Sequence, residues 1–300
     1  MLTTQKTTNQ WVNEFKDLIR GASGGFLFGI PLLYTMEVWW IGSYATMPRL
    51  LLAMLITFTI VFMLNRTAGF RTADNIHPMD AAMESIEAIA IGTICAAVSL
   101  ILIREITLET PISEALGKLV YESVPFTVGV ALANQFLGHQ GQETESSDRP
   151  QKSSSQSKSQ KQKSSQSTIH ATLADIGGTL LGALIIAFNI APTDEVPMLV
   201  SAIQDLWLLA LLVASLVVSY AIVFVAGFTN QQKRLQQDGI FQRPSSETLM
   251  SYLVSLAAAF VMLVFFDKVQ WNDPWQIWLS HCIVLGFPAT IGGAAGRLAI

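Results

Sequence analysis

Hydrophobic residues are gathered into eight long runs that alternate with short polar stretches. A helix needs about 20 apolar residues to cross the roughly 30 Å hydrocarbon core of a bilayer, and each run approaches that length. Most runs lack the strict alternation of barrel strands. The pattern therefore predicts an all-α membrane protein with eight transmembrane helices. The predicted segments, one to eight, cover residues 22–42, 47–65, 81–103, 119–138, 171–191, 206–227, 248–267 and 275–297.

Residues 139–168 are unlike the rest of the chain. They include no aliphatic or aromatic residue, and ten of them are Ser and seven are Gln. Such a stretch cannot bury enough apolar area to offset the entropy lost on ordering. We therefore predict a disordered linker, which serves either as a plain spacer or as a tether for a partner. It separates residues 1–138, which open with an amphipathic stretch, from residues 169–300.

The two halves resemble one another in four places that follow the same order. The first match pairs residues 24–29 with 177–182, and the last pairs residues 125–129 with 288–292, at offsets of 153 to 163 residues. Four crossings return a chain to the side on which it started. The sequence thus predicts two parallel four-helix repeats, related by an axis near the membrane normal.

The composition agrees with a membrane location and excludes several functions. Only 13% of residues are charged and 51% are hydrophobic, whereas soluble domains carry about 25% charged residues. The net charge of −4 gives no reason to expect nucleic acid as a partner. Two Cys and four His offer little for a metal site. No phosphate-binding loop, zinc-protease motif or nucleophile elbow is present, so we predict neither enzymatic activity nor a cofactor.

The distribution of Lys and Arg predicts the orientation of the chain. Fourteen of these residues lie on the side of the N-terminus and four on the other side. Because positive loops stay in the cytoplasm, both termini and the linker are expected there. Five tryptophans would then gather at the opposite interface: Trp39, Trp40, Trp271, Trp275 and Trp278.

Small residues recur at every fourth position in segments one and five, a spacing that allows close approach of helices. We expect these two segments to pack at the internal symmetry axis or at a contact of a homo-oligomer. Exposed glycine backbone along a pathway is the alternative. The glycines concerned are Gly21, Gly25, Gly29, Gly178 and Gly182.

Three prolines lie inside predicted spans, namely Pro31, Pro125 and Pro288. Each removes a backbone hydrogen bond and frees a carbonyl group. Kinks of this kind serve as gates in transporters, but they also occur in membrane helices without such a role.

Ionisable residues inside apolar segments are the strongest functional signal, because charge in hydrocarbon is costly unless it is paired or hydrated. Glu37 lies about 22 Å along segment one at 1.5 Å per residue. Glu122 and His281 are expected at a similar depth, near the outer face. Together they could bind a cation or relay a proton. Alternatively, each meets solvent at its own helix end.

A second group of acids opens segment three. Asp80, Glu84 and Glu87 fall on one helical face and would form an inner mouth that attracts cations. The macrodipole, which favours acids in a first helical turn, explains Asp80 and Glu84 equally well, but Glu87 less well. Arg297, near the end of segment eight, is a candidate counter-charge for Glu84 or Glu87, or a positive-inside anchor.

The run Met36-Glu37-Val38-Trp39-Trp40 resembles the first helix of an uncharacterised family of bacterial polytopic integral membrane proteins with a Met-Glu-x-Trp-Trp motif. The resemblance implies a location in the bacterial inner membrane and several further helices. It implies no established activity, but it strengthens Glu37 as a candidate.

These observations favour a channel or secondary transporter for protons or a small cation, driven by a gradient because the chain shows no nucleotide-binding motif. The alternative is a non-transporting interaction or sensor protein that acts through its cytoplasmic linker. The lipid bilayer is a partner in both hypotheses.

Overall fold

The computed structural model describes residues 2–69, 77–138, 160–226 and 244–299, and all regular structure within these ranges is helical. One π-helical turn, Ala221–Val225, extends α8. The helices are α1 (Leu2–Leu33), α2 (Met36–Ser43), α3 (Met47–Gly69), α4 (Pro78–Leu102), α5 (Ile112–Gly138), α6 (Gln160–Ile190), α7 (Glu195–Ala202), α8 (Asp205–Tyr220), α9 (Pro244–Phe265) and α10 (Trp275–Leu298).

The expected number of spans agrees with the structure once a broken helix is taken into account. Seven of the described helices are long and apolar enough to cross a membrane. The bent pair of α1 and α2 makes an eighth if it is counted as one span. The all-helical membrane architecture predicted from the hydrophobic pattern is therefore confirmed.

Segment one, in which Pro31 was a candidate kink, is not one continuous helix. The chain turns by 87° between Leu33 and Met36, where Thr35 adopts extended backbone angles. The Trp39 indole donates a 3.0 Å hydrogen bond to the Leu33 carbonyl, in the last turn of α1, where carbonyls lack helical partners. The depth of 22 Å assigned to Glu37 along a straight helix is therefore wrong, because Glu37 lies beyond the turn.

The boundary of the predicted linker also shifts. Helix α6 begins at Gln160, so the last nine residues of the predicted disordered stretch are helical. Residues 139–159 lie outside the described part of the chain.

One long helix forms the centre of each half. In the first half α5 packs against α1, α2, α3 and α4, and in the second half α10 packs against α6, α7, α8 and α9. Of the candidate spans, α10 is the most deeply buried and α3 the least. The central helices therefore carry the side chains that are best shielded from lipid and water.

The turns that follow α4 and α9 have the same geometry. Arg104 and Asp267 both adopt positive φ angles, 68° and 56°, and they are 163 residues apart. In each turn the next residue donates a 2.9 Å backbone hydrogen bond back into the helix, Glu105 to Leu100 and Lys268 to Leu263. This is the Schellman arrangement that ends a helix and redirects the chain.

The glycine stripes pack within their own halves. A Cβ atom on Gly29 would overlap the Phe126 ring, and Gly25 approaches Val130, both on α5. On α6, the Gly178 and Gly182 backbones contact Gly296 and Gly292 of α10. The partners of α1 and α6 are thus the central helices rather than one another, because the flat glycine faces admit a close approach there. Gly21 is buried on the same helix as Gly25.

Within the described residues, side chains of each half donate hydrogen bonds to backbone carbonyls of the other. The Arg20 Nε donates to the Ala226 carbonyl at 2.9 Å, and the Trp207 indole donates to the Leu102 carbonyl at 2.6 Å. The Tyr34 hydroxyl donates to the Val284 carbonyl at 2.6 Å. Because Pro288 has no N–H, Val284 loses its ordinary helical donor four residues on, and Tyr34 replaces it.

Candidate functional site

Glu122 is the most completely enclosed acid in the described residues. It lies on α5, is 0% exposed, and neither carboxylate oxygen has a hydrogen-bond partner. Four helices pack around α5. They enclose the N-terminal part of α5, so the Glu122 side chain reaches neither water nor lipid headgroups. An ionised carboxylate in such surroundings costs several kcal/mol, so Glu122 gains from binding a proton or a cation.

A charged cluster lies one helical turn from Glu122. The Lys118 ammonium is 3.1 Å from Glu105 Oε2 and 2.9 Å from Glu114 Oε1. It also donates a 3.0 Å hydrogen bond to the Glu105 carbonyl. The Lys118 side chain is only 8% exposed. We call Glu105, Glu114 and Lys118 the Lys118 cluster.

Helix α2 covers the Lys118 cluster. The Trp39 ring centre is 6.0 Å from the Lys118 ammonium, a distance compatible with a cation–π interaction. Gly42 and Gly117 bring the backbones of α2 and α5 into direct contact, and a Cβ atom on either glycine would overlap the other helix. The break after Leu33 thus allows α2 to pack on α5 and places the Trp39 ring over Lys118.

The titration of Glu105 reflects this shielded position. Burial raises the pKa of Glu105 above its ordinary value, Lys118 opposes the rise through its hydrogen bond and charge, and Glu114 adds to it. On the matching turn of the second half, by contrast, the Lys268 ammonium hydrogen-bonds to Asp194 at 2.8 Å and lowers the pKa of that carboxyl.

The structure does not join the three residues expected in one outer layer. Glu37 is exposed in the first turn of α2. His281 is 9% exposed on α10, and its Nδ1 is 2.8 Å from the Ile277 carbonyl. No hydrogen bond or ion pair described for this part of the chain connects Glu37, Glu122 and His281. Glu122 and His281 lie on different central helices.

The residues expected at the inner mouth are placed on an outward face. Glu84 and Glu87 are exposed, whereas Ser85 and Ala88 of the same helix are buried. Helix α4 turns its small residues toward α5 and its acids away from it.

Arg297 pairs with a different acid from either one expected. Its guanidinium forms an ion pair with Glu247 of α9 and lies 5.9 Å from the centre of the Phe224 ring. Arg297 is 0% exposed. The expected pairing with Glu84 or Glu87 is wrong, because α10 packs against α9 of its own half.

Sequence reasoning missed several charged residues near the predicted spans. The predicted spans 81–103 and 119–138 place Glu105 and Lys118 in a loop, although the Glu114–Lys118 spacing of four residues indicates an ion pair on a helix. Glu195 was also missed. It is 6% exposed on α7, and its Oε2 has no hydrogen-bond partner. A hydropathy pattern cannot reveal this burial, because α7 is short and polar residues flank it in the sequence.

The described residues include no group of three or more His, Cys, Asp or Glu side chains that could hold a metal ion. Cys95 is buried and Cys282 half-buried, and both are free.

Comparisons with known proteins agree with the helical architecture. Residues 17–300 match the family described as "Putative integral membrane protein (DUF2391)". The comparison with curated proteins and the comparison with solved structures gave no match. The family covers both halves and the intervening linker, and its description agrees with the resemblance seen in the first helix. The chain therefore belongs to the DUF2391 family of multi-pass integral membrane proteins.

Proposed function

We propose that this protein is a channel or secondary transporter that moves protons or a small cation across the membrane, with Glu122 as the binding group. The observation that carries the proposal is the Glu122 carboxylate, which is 0% exposed and lacks a hydrogen-bond partner. Purely structural carboxylates in a membrane pair with a cation or reach solvent. Glu122 does neither, so its carboxylate is suited to bind a proton or a small cation reversibly.

The other acids attract cations toward the two faces of the membrane. Glu37 and the Lys118 cluster lie toward the outer face. Glu84 and Glu87, exposed on the outward face of the neighbouring helix α4, draw cations to the inner face, and His281 lies on α10. Intramembrane acids of this kind mark ion pathways. A gradient drives the movement.

The proposal includes a duplicated four-helix unit in the bacterial inner membrane, with both termini cytoplasmic. The equal turns at Arg104 and Asp267 support the duplication, as does the matching set of neighbours around α5 and α10. The excess of Lys and Arg on the side of the N-terminus supports the orientation.

Transport by purified protein in liposomes tests the proposal. The vesicles contain a pH-sensitive dye, and an imposed pH gradient is released while valinomycin and potassium compensate the charge. We expect Glu122→Gln to reduce the proton flux at least tenfold, because the amide cannot exchange a proton. Glu109→Gln is the matched control, since Glu109 is exposed, and it should keep the wild-type flux.

Parallel experiments with sodium or potassium gradients test small cations. Equal flux from wild type and Glu122→Gln would contradict the role of Glu122. Flux no greater than that of empty vesicles, under every gradient applied, would contradict transport itself.

A further inference from the structure

Lys118 and Glu122 lie four residues apart on α5, so they share one helical face. Residues at this spacing have Cβ atoms about 5–6 Å apart, and the Lys side chain is long enough to reach either neighbouring turn. In the structure Lys118 turns toward Glu114 and Glu105, and Glu122 has no hydrogen-bond partner. Glu122 is therefore an unused alternative partner for the same ammonium group.

Helix geometry explains which partner Lys118 takes. A Glu one turn N-terminal to a Lys pairs better than a Glu one turn C-terminal to it. Glu114 holds the favoured position and Glu122 the other. Glu114 is also the more accessible acid, with a side chain 35% exposed, so water can solvate its carboxylate once Lys118 has left it.

The charged and titratable groups on the other elements around α5 have different roles. Tyr34 at the end of α1 donates to Val284. Glu37 of α2 and Arg49 of α3 are exposed. Arg104, after α4, lies 5.3 Å from the centre of the Trp207 ring. Glu105 is bound to Lys118, and its negative charge also acts on Glu122 and disfavours a second carboxylate there. Lys118 is thus the cation best placed to neutralise an ionised Glu122.

The ligand set at Glu122 suits a proton rather than a metal ion. Mg²⁺ and Ca²⁺ take six or more oxygen ligands, whereas the described residues hold no cluster of three or more acidic, His or Cys side chains around a common point. A proton needs one carboxylate oxygen. An ammonium group one turn away also repels a second cation.

We propose that Glu122 exchanges a proton for the Lys118 ammonium group, so that Lys118 is a built-in competitor of the transported proton. This inference deepens the proposed function and rests on it. In the exchange, the O–H bond of the neutral Glu122 carboxyl breaks and the proton leaves along the proposed pathway to bulk water. Lys118 keeps its three protons, leaves Glu114 and pairs with the new carboxylate. The return of a proton to Glu122 releases Lys118 to Glu114.

Infrared difference spectroscopy of the full chain in liposomes tests the exchange. The carbonyl band of protonated Glu122 is identified by its loss in Glu122→Gln, and its pH midpoint is then measured in each variant. We expect Lys118→Met to raise this midpoint by at least one pH unit, because the ionised carboxylate loses its counter-charge. Lys118→Arg should keep it near the wild-type value. Lys268→Met, which removes a Lys on the matching turn, is the control and should leave it unchanged.

A second variant keeps the test valid if Lys118→Met does not fold. Glu114→Gln removes one competitor for Lys118, so the midpoint of Glu122 should fall. Glu109→Gln removes an acid from the loop that precedes α5, one that forms no ion pair with Lys118, and it should shift the midpoint much less. The exchange would be overturned if the pH midpoint of Glu122 were the same in Glu114→Gln as in the wild type. If Lys118→Met folds, its midpoint would have to be unchanged as well.

Two further outcomes separate this inference from the proposed function. A midpoint that responds to Lys118, in a protein without proton flux, supports the exchange and contradicts transport. A flux that needs Glu122, with a midpoint independent of Lys118, supports transport and overturns the exchange. Replacement of sodium by N-methylglucamine at constant ionic strength should not move the midpoint, and a sodium-dependent midpoint would overturn the choice of the proton.

Discussion

Burial distinguishes the acids of this protein more sharply than their position along the chain. Glu37, Glu84 and Glu87 are all exposed, whereas Glu122 is enclosed on the central helix of the first half. Each of the four lies in or beside an apolar run, so hydropathy treats them alike. The face of the helix on which each acid lies, and the helices that cover that face, make the difference.

At the residue scale, the buried pair of Arg297 and Glu247 predicts a large effect on stability. Arg297→Met leaves Glu247, whose side chain is 17% exposed, without its cation. We therefore expect a loss near the lower end of the about 3–5 kcal/mol that breaking a buried ion pair costs. The double variant Arg297→Met with Glu247→Leu should recover most of this loss, because neither charge remains.

The measurement for this pair is thermal unfolding followed by a thiol-reactive dye. Cys95 is buried, Cys282 is half-buried and both are free, so unfolding increases the reactivity of these thiols, above all that of Cys95. A single variant with the wild-type unfolding temperature would contradict the prediction, and so would a double variant no more stable than Arg297→Met.

At the scale of elements, a proline on one half and a tyrosine on the other are coupled. Tyr34→Phe removes the donor to the Val284 carbonyl, and an unsatisfied buried group costs about 1–3 kcal/mol. In a Pro288→Ala background the new N–H can supply the helical bond, so Tyr34→Phe should then cost less. A double-mutant cycle of unfolding free energies measures the difference, and equal costs in both backgrounds would argue against the coupling.

Close packing of α6 on α10 gives a second prediction at this scale. A Cβ atom on Gly182 would overlap the backbone of Gly292, whereas one on Gly177 meets no atom within 4 Å. Gly182→Ala should therefore lower the unfolding temperature, because one backbone must move away from the other. Gly177→Ala is the matched control, and it should be neutral or slightly stabilising, since Ala favours helix. Equal unfolding temperatures for the two variants would contradict this account.

The glycine contacts also refine the comparison of the two halves. Sequence matching paired residues 24–29 with 177–182, yet Gly24 contacts Gly129 whereas Gly182 contacts Gly292. Gly129 and Gly292 occupy matching positions, so contact geometry aligns Gly24 with Gly182. Because glycines recur along both helices, a sequence alignment of α1 with α6 can be displaced by about one helical turn. The contacts with α5 and α10 fix the alignment.

At the scale of the whole molecule, the two functional hypotheses differ in what they require of the linker. Replacement of residues 139–159 by a Gly/Ser stretch of equal length keeps the reach between α5 and α6. For a transporter we expect the proton flux to stay within about twofold of wild type, because the helices carry the pathway. Liposome flux measures this, with Glu122→Gln as the inactive reference. Loss of flux from a folded variant would favour a protein that acts through its linker.

The membrane class, the approximate spans and the family resemblance were accessible from the sequence. The length of an apolar run depends only on consecutive residues. Because the thickness of a bilayer is nearly constant, that length alone predicts whether a helix can span it. Glu122 could be nominated in the same way, as an acid inside such a run. The four-residue spacing of Glu114 and Lys118 was also visible, although the sequence alone did not show that either was buried.

Only the tertiary structure decided which of the nominated charges are enclosed and what they contact. The turn of 87° after Leu33, the Trp39 ring over Lys118 and the pairing of Arg297 with Glu247 depend on contacts between helices far apart in the chain. Such contacts are set by the shapes of complementary faces, to which Gly42, Gly117 and Gly182 contribute by lacking a side chain. Hydropathy indicates how much apolar surface a segment carries. The packing of the helices determines which face of that segment is covered and which side chains can bind or exchange an ion.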